Sequence, residues 1–133
     1  MKPTYLADTV ALARYLEDNL PKRANDVFEK AESGLATILV PDICIAEFIY
    51  IGLKRRLKVS DPKTTIREFL DDLNSSQFLK PVGISTEGWE IFVDSTVPEL
   101  HDRIIYSTAE SNAAEAIITN DPEIVASKFP TIW

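Results

Sequence analysis

The chain holds one cysteine, one histidine and four glycines in 133 residues. A lone thiol, Cys44, excludes an intramolecular disulfide and leaves zinc without a thiolate pair. We read Cys44 as a small buried hydrophobe, in a chain suited to a reducing cytoplasm. Long apolar runs are missing too. Charge interrupts each one, so no segment reads as a membrane span, and Met1-Lys2-Pro3-Thr4 lacks the apolar stretch of a signal peptide. No repeat, low-complexity tract or Gly/Ser linker divides the sequence, so residues 1–133 read as a single domain. Positive charge is scarce: 14 Lys and Arg face 21 Asp and Glu, a net charge of -7. That balance speaks against a non-specific nucleic-acid coat. An enzyme acting on nucleic acid stays open, because a bound divalent cation reverses the local sign.

What is present is a 45% hydrophobic share, ordinary for a globular fold. Short strand candidates fall at Thr4–Ala7, Thr37–Val40, Phe78–Val82, Ala116–Thr119 and Thr131–Trp133. Helical spacing links them. Leu12, Ala13 and Leu16 follow Asp8-Thr9, and Ala24, Val27, Phe28 and Ala31 precede Gly34, placed as a helix stop. "PDICIAEFIYIGLKRRL" puts Pro41 at a helix start and Ile43, Ala46, Tyr50, Leu53 and Leu57 on one stripe. "SDPKTTIREFLDDLNSS" buries Ile66, Phe69, Leu70 and Leu73 behind a Ser60 or Asp61 cap. A shorter helix presents Trp89, Phe92 and Val93, with Trp89 expected to pack in the core. The next one presents Leu100, Ile105, Ala109 and Ala113. Short apolar strands alternating with amphipathic helices predict a three-layer α/β/α sandwich around a mostly parallel sheet of about four to five strands.

In such a fold ligands bind beyond the carboxyl ends of the strands. Asp8 and Asp121 both lie there, each just after an apolar strand. Glu47 falls on or beside the stripe set by Ile43 and Tyr50. Asp102 sits in the first turn of its helix, with Ile105, Tyr106 and Ala109 on the same face. A lone carboxylate on such a face costs several kcal/mol unless it is paired or ligates a cation. Each acid has an ordinary alternative: Asp8 and Asp121 as helix caps, Glu47 paired with Arg or Lys, Asp102 complementing a helix dipole. Brought together, four carboxylates repel, and a hard divalent cation relieves that repulsion. Oxygen ligands at an open site suit Mg²⁺ or Mn²⁺, and activation of water for attack on phosphorus is the commonest use of such a site.

The stretches "LADTVALARYL", "VPDICIAEFIYIGLKR" and "ELHDRIIYSTAESNAAEAIITNDPEI" together resemble the PIN-domain family, which includes the toxin nucleases of VapBC-type toxin–antitoxin pairs. The resemblance runs in order over essentially the whole chain. It implies a metal-dependent endoribonuclease with Asp8, Glu47, Asp102 and Asp121 as its acidic quartet. By that likeness Asp8, Asp102 and Asp121 hold Mg²⁺ or Mn²⁺, and Glu47 orients or deprotonates the attacking water. Thr9 and Thr119 support the site by hydrogen bonding, and Glu123 supplies an extra acid. It further implies an RNA substrate, a small antitoxin that places a basic side chain in the cleft, and a homodimer.

Substrate contacts have fewer signals. Lys54, Arg55, Arg56 and Lys58 follow the Glu47 helix and could touch phosphates flanking the scissile bond. Cations at a helix end are equally well explained by the dipole. Arg103 and Arg14 lie near the acids in sequence, and His101 could hydrogen-bond at the rim. Two rival readings compete with the enzyme. One is a PIN-like binding or scaffold module with little turnover. The other is a phosphotransfer domain, for which "ADTVAL" lacks a second Asp and "TNDPEI" a nearby lysine.

Overall fold

The computed structural model describes residues 2–133. In chain order its elements are β1 (Thr4–Ala7), α1 (Thr9–Leu16), α2 (Lys22–Glu32), β2 (Thr37–Pro41), α3 (Asp42–Leu53) and α4 (Pro62–Ser75). They continue as β3 (Leu79–Val82), α5 (Thr86–Asp94), α6 (Leu100–Ser111), β4 (Ala116–Ile118), α7 (Pro122–Ala126) and β5 (Thr131–Ile132). All five expected strands are present, with ends differing by at most one residue. They form one sheet in the order β3-β2-β1-β4-β5, and every pairing is parallel.

Local chemistry sets the boundaries. Asp61 starts α4 by accepting from the Thr64 backbone N–H at 3.3 Å and its hydroxyl at 2.7 Å, with Pro62 at the first helical position. Ser85 caps α5 by accepting from Gly88 N–H at 3.1 Å. Gly34, at φ 80°, takes the left-handed turn that lets Leu35 N–H reach back to Lys30 O at 2.9 Å and closes α2.

The chain winds from β1 outward through β2 to β3, then returns to the far side of β1 through β4 to β5. With right-handed crossovers this reversal places α1 to α4 on one face of the sheet and α5 to α7 on the other. The observed packing agrees: α1 meets α2 and α3, α3 meets α4, and α6 meets α5 and α7. Leu6, Ile38, Val40, Ile117 and Ile118 are fully buried between the layers. Phe28 stacks on Tyr15 at 4.3 Å, and Phe48 meets Phe69 edge-on at 4.9 Å.

Several helix faces differ from the sequence reading. In α3 the buried residues are Cys44, Phe48 and Gly52, whereas Ala46, Tyr50 and Leu53 are exposed. The helix is apolar almost all round, so its spacing holds no unique stripe. Leu57 is buried, but it lies beyond the end of α3. Leu70 and Leu100 are exposed, and so are Trp89 and Val93 on α5. There Gly88 is the buried position, close enough to Ile84 that an added Cβ would lie 2.7 Å from its Cγ1. Cys44 is buried, as read.

Candidate functional site

The winding reverses at β1, and the cleft opens where the carboxyl ends of β1 and β4 meet. Their register pairs Ala7 with Ile118, so the next residue on each strand is Asp8 and Thr119. Thr119 is fully buried and its hydroxyl donates a short hydrogen bond to Asp8 Oδ2. The same hydroxyl accepts from Asp121 N–H at 3.0 Å, tying both strand-end aspartates to one side chain. Asp8 also caps α1, accepting from Ala11 N–H through Oδ1 at 2.8 Å. Asp121 likewise caps α7, accepting from Glu123 and Ile124 N–H at 2.9 and 3.3 Å. Capping and membership of the cleft are therefore compatible, and the two readings of these aspartates are not alternatives.

Two helices complete the walls. Thr9, in the first turn of α1, donates its hydroxyl to Glu47 Oε1 on α3 at 3.2 Å. Glu47 is half-buried beside the Cys44–Phe48 face, not on a Tyr50 stripe. Asp102 lies in the first turn of α6, its N–H donating to Glu99 Oε2 at 2.8 Å. Together Asp8, Thr9, Glu47, Asp102 and Asp121 line a cavity of about 290 Å³, with Glu99, His101, Val10 and Ile105 as its remaining walls. Glu123, in the first turn of α7, stands beside Asp102 and adds its negative charge there.

The electrostatics are those of crowded acid without counter-charge. Five carboxylates line the cavity and no Lys or Arg does. Burial pushes the Asp8 carboxyl up to about 6, against hydrogen bonds from Thr119 and Ala11 and with the charges of Asp121 and Glu47 adding to the rise. Burial also drives Asp102 up to about 7, reinforced by Asp121, Glu99 and Glu123. The α6 dipole favours a charged Asp102, but burial and the neighbouring acids outweigh it. Glu99 moves the other way, held low chiefly by the Asp102 N–H.

Such a donor set fits a hard divalent cation, since only a positive charge lets all these groups ionise near neutrality. Among the described residues no three His, Cys, Asp or Glu side chains stand as a ready-made cage. Mg²⁺ does not need one: it keeps several waters and binds through one or two carboxylates. Asp8, Asp102 and Asp121 are the cavity aspartates whose oxygens could serve such an ion.

The remaining sequence candidates lie elsewhere or are already engaged. Arg103 donates through Nε to Val97 O at 2.7 Å, and its guanidinium sits over the Phe92 ring at 5.2 Å. Lys54, Arg55, Arg56 and Lys58 lie at and beyond the carboxyl end of α3, roughly 12 Å along the helix from Glu47. They do not line the cleft. Arg14 sits over the Trp133 ring at 5.7 Å. Sequence reasoning missed Glu99, which caps α6 and lines the cavity. Its signal was an acid three residues ahead of Asp102, in the cap position of a helix that begins with Leu100.

Solved structures share this architecture. A VapBC2 complex from Rickettsia felis bound to a promoter DNA fragment superposes with a TM-score of 0.71 at 16% identity, covering 96% of each chain. A toxin–antitoxin complex from Klebsiella pneumoniae gives 0.68 at 19%, covering 97% of this chain and 96% of that one. A sarcin–ricin-loop-cleaving toxin from Mycobacterium tuberculosis gives 0.63 at 14%, covering 94% and 95%. At such identities the likeness is one of fold. Among curated proteins none matches the chain in sequence. The PIN-domain family model, however, matches residues 5–129. Both strand-end aspartates, the Glu47 helix and the Asp102 helix fall inside that match, and the chain belongs to the PIN-domain family.

Proposed function

We propose that the chain is a Mg²⁺- or Mn²⁺-dependent endoribonuclease that hydrolyses RNA phosphodiester bonds, acting as the toxin of a VapBC-type pair. One observation carries this reading. A cavity at the sheet's switch point gathers five carboxylates with no fixed cation, two of them raised toward neutrality. Family membership and the toxin–antitoxin complexes of the same fold support the biological role.

Within the reaction each residue has a distinct task. When bound, a divalent cation supplies charge neutralisation and water activation. Asp8, Asp102 and Asp121 would hold it, with Thr119 tying the side chain of the first to the backbone of the last. Glu47, anchored through one oxygen by Thr9, orients the attacking water and takes its proton on the other. The water oxygen forms a new bond to phosphorus as the opposite P–O ester bond breaks, and the departing oxygen takes a proton from solvent. Glu123, beside Asp102, adds to the negative charge that a bound cation would offset. A small antitoxin with a basic side chain would block this cleft by supplying the charge it lacks. A second copy of the chain is the other expected partner.

The test is cleavage of fluorescent RNA by purified protein in Mg²⁺, Mn²⁺ or EDTA, beside Asp102→Asn. Cutting that needs metal and falls at least about 100-fold in the variant is the expected result. Well-folded, antitoxin-free protein that cuts no RNA in any metal would favour the scaffold reading.

A further inference from the structure

A larger cavity, about 430 Å³, opens at the corner between α3 and α4, away from the acidic cleft. Arg55 and Lys63 line it with Ser60, Asp61 and the buried Leu57. Lys54, Arg56 and Lys58 flank the lining residues Arg55 and Leu57 in sequence, so five of the fourteen basic residues of a net-acidic chain fall between positions 54 and 63. Among the described residues the only acid–base contacts within 4 Å are Lys22–Asp26 and His101–Glu99. None of the five is neutralised at contact, and all are exposed. Asp61, the acid in the cavity wall, is taken up in capping α4 through Thr64.

Two details fix where these cations stand. Helix α3 ends in a turn where Arg55 N–H bonds Gly52 O at 2.9 Å and Arg56 N–H bonds Ile51 O at 3.1 Å. That motif places its next residue in the left-handed region, where glycine is preferred. Here the position is Arg55, at φ 57°. Asp18 and Ala113 occupy the same position at the ends of α1 and α6, so what distinguishes Arg55 is its place in the cavity wall. Lys63, for its part, stands in the first turn of α4, where the helix dipole disfavours a cation. A dipole explanation that suits Lys54 fails for Lys63. The loop between is pinned by Leu57 in the core and by Lys58 N–H donating to Glu17 Oε2 at 2.8 Å, so the cations project from a fixed frame.

We propose that this corner is a second RNA contact, remote from the acidic cleft, where Arg55 and Lys63 bind backbone phosphates and Lys54, Arg56 and Lys58 extend the track. This rests on the ribonuclease reading and adds how an acidic enzyme retains a polyanion that its own cleft repels. Guanidinium and ammonium groups are suited to phosphate oxygens. Lys54 Nζ over the exposed Tyr50 ring, at 5.2 Å, adds an aromatic face beside the track.

The test uses fluorescein-labelled single-stranded RNA, read by anisotropy in EDTA from 50 to 300 mM KCl, with wild type, Arg55→Gly and Arg55→Gly/Lys63→Ser. The double variant should bind about tenfold more weakly at the lowest salt. The slope of log affinity against log salt should shrink by about 1.4, as for two lost single-strand phosphate contacts. Arg55→Gly should melt no lower than wild type, which separates lost binding from lost folding. In Mn²⁺ cleavage assays KM should rise by more than kcat falls. Unchanged affinity and slope, in a protein that still cuts RNA, would overturn the corner and leave the nuclease standing. Binding that depends on the corner in a protein that cuts nothing would keep the corner and remove the nuclease. A protein that neither binds nor cuts RNA removes both. If the double variant loses poly-glutamate but keeps RNA, the corner belongs to an acidic protein partner and the proposal fails.

Discussion

Thr119 is the residue on which the site's geometry turns, since one hydroxyl serves Asp8 as donor and Asp121 N–H as acceptor. Thr119→Val removes both bonds while keeping the shape. Asp8, already raised by burial, loses a bond that holds it down, so its carboxyl should titrate still higher. Expected is a loss of at least about tenfold in cleavage at pH 7, partly recovered at pH 8.5, with Thr119→Ser close to wild type. Rate against pH for the three proteins decides it. At this scale the sequence was informative for the aspartates, because Asp8 and Asp121 follow the two apolar strands that meet at the switch point, whereas Asp42 follows β2 and lies outside the cleft. It was silent on Glu99, whose role depends on α6 starting at Leu100, and on the partner of Arg103, a backbone carbonyl six residues earlier.

Elements were legible where pattern and environment coincide. The strands are short, apolar and bounded by turn chemistry, and their parallel order follows from the helices between them. Which face of α3 turns inward was not legible, because a helix apolar on all sides encodes no direction. Packing decides it: α3 meets both α1 and α4, and Gly52 lets α4 come close. A Cβ at Gly52 would lie 2.5 Å from Ile66 Cδ1 and 3.2 Å from Leu57 Cδ1, both side chains being buried. Gly52→Ala should therefore destabilise by about 1–2 kcal/mol despite the better helix propensity of alanine. A thermal melt that shows no loss would mean that α3 and α4 can move apart.

For the whole molecule, the acidic cleft sets an unusual pH dependence. Asp8 titrates at about 6 when folded against 3.8 as a free side chain, so near pH 5 the native state holds a proton that the unfolded chain has lost. Its contribution to stability is complete below the lower value and vanishes as pH rises through the higher one. Asp102 acts in the same direction up to about pH 7, weakened by solvent screening. Metal-free protein should thus be more stable at pH 5.5 than at pH 8, by about 1 kcal/mol from Asp8 alone. Melting in EDTA should be a few degrees higher at the lower pH. Millimolar Mn²⁺ should remove or reverse that difference, because it favours the ionised cleft. Glu99 and Asp61, both lowered, lose their contributions only below this window. No helix among the described residues is long and apolar enough to cross a membrane.

Carboxylates that form one cation site at the switch point must bind metal together. Calorimetric titration of Mn²⁺ into metal-free protein at pH 7.5, beside Asp102→Asn and Asp121→Asn, tests it most directly. Saturable binding with release of protons is expected in the wild type, weakened at least about tenfold in each variant. Binding that survives both substitutions unchanged, or no binding at all in folded wild-type protein, would contradict it.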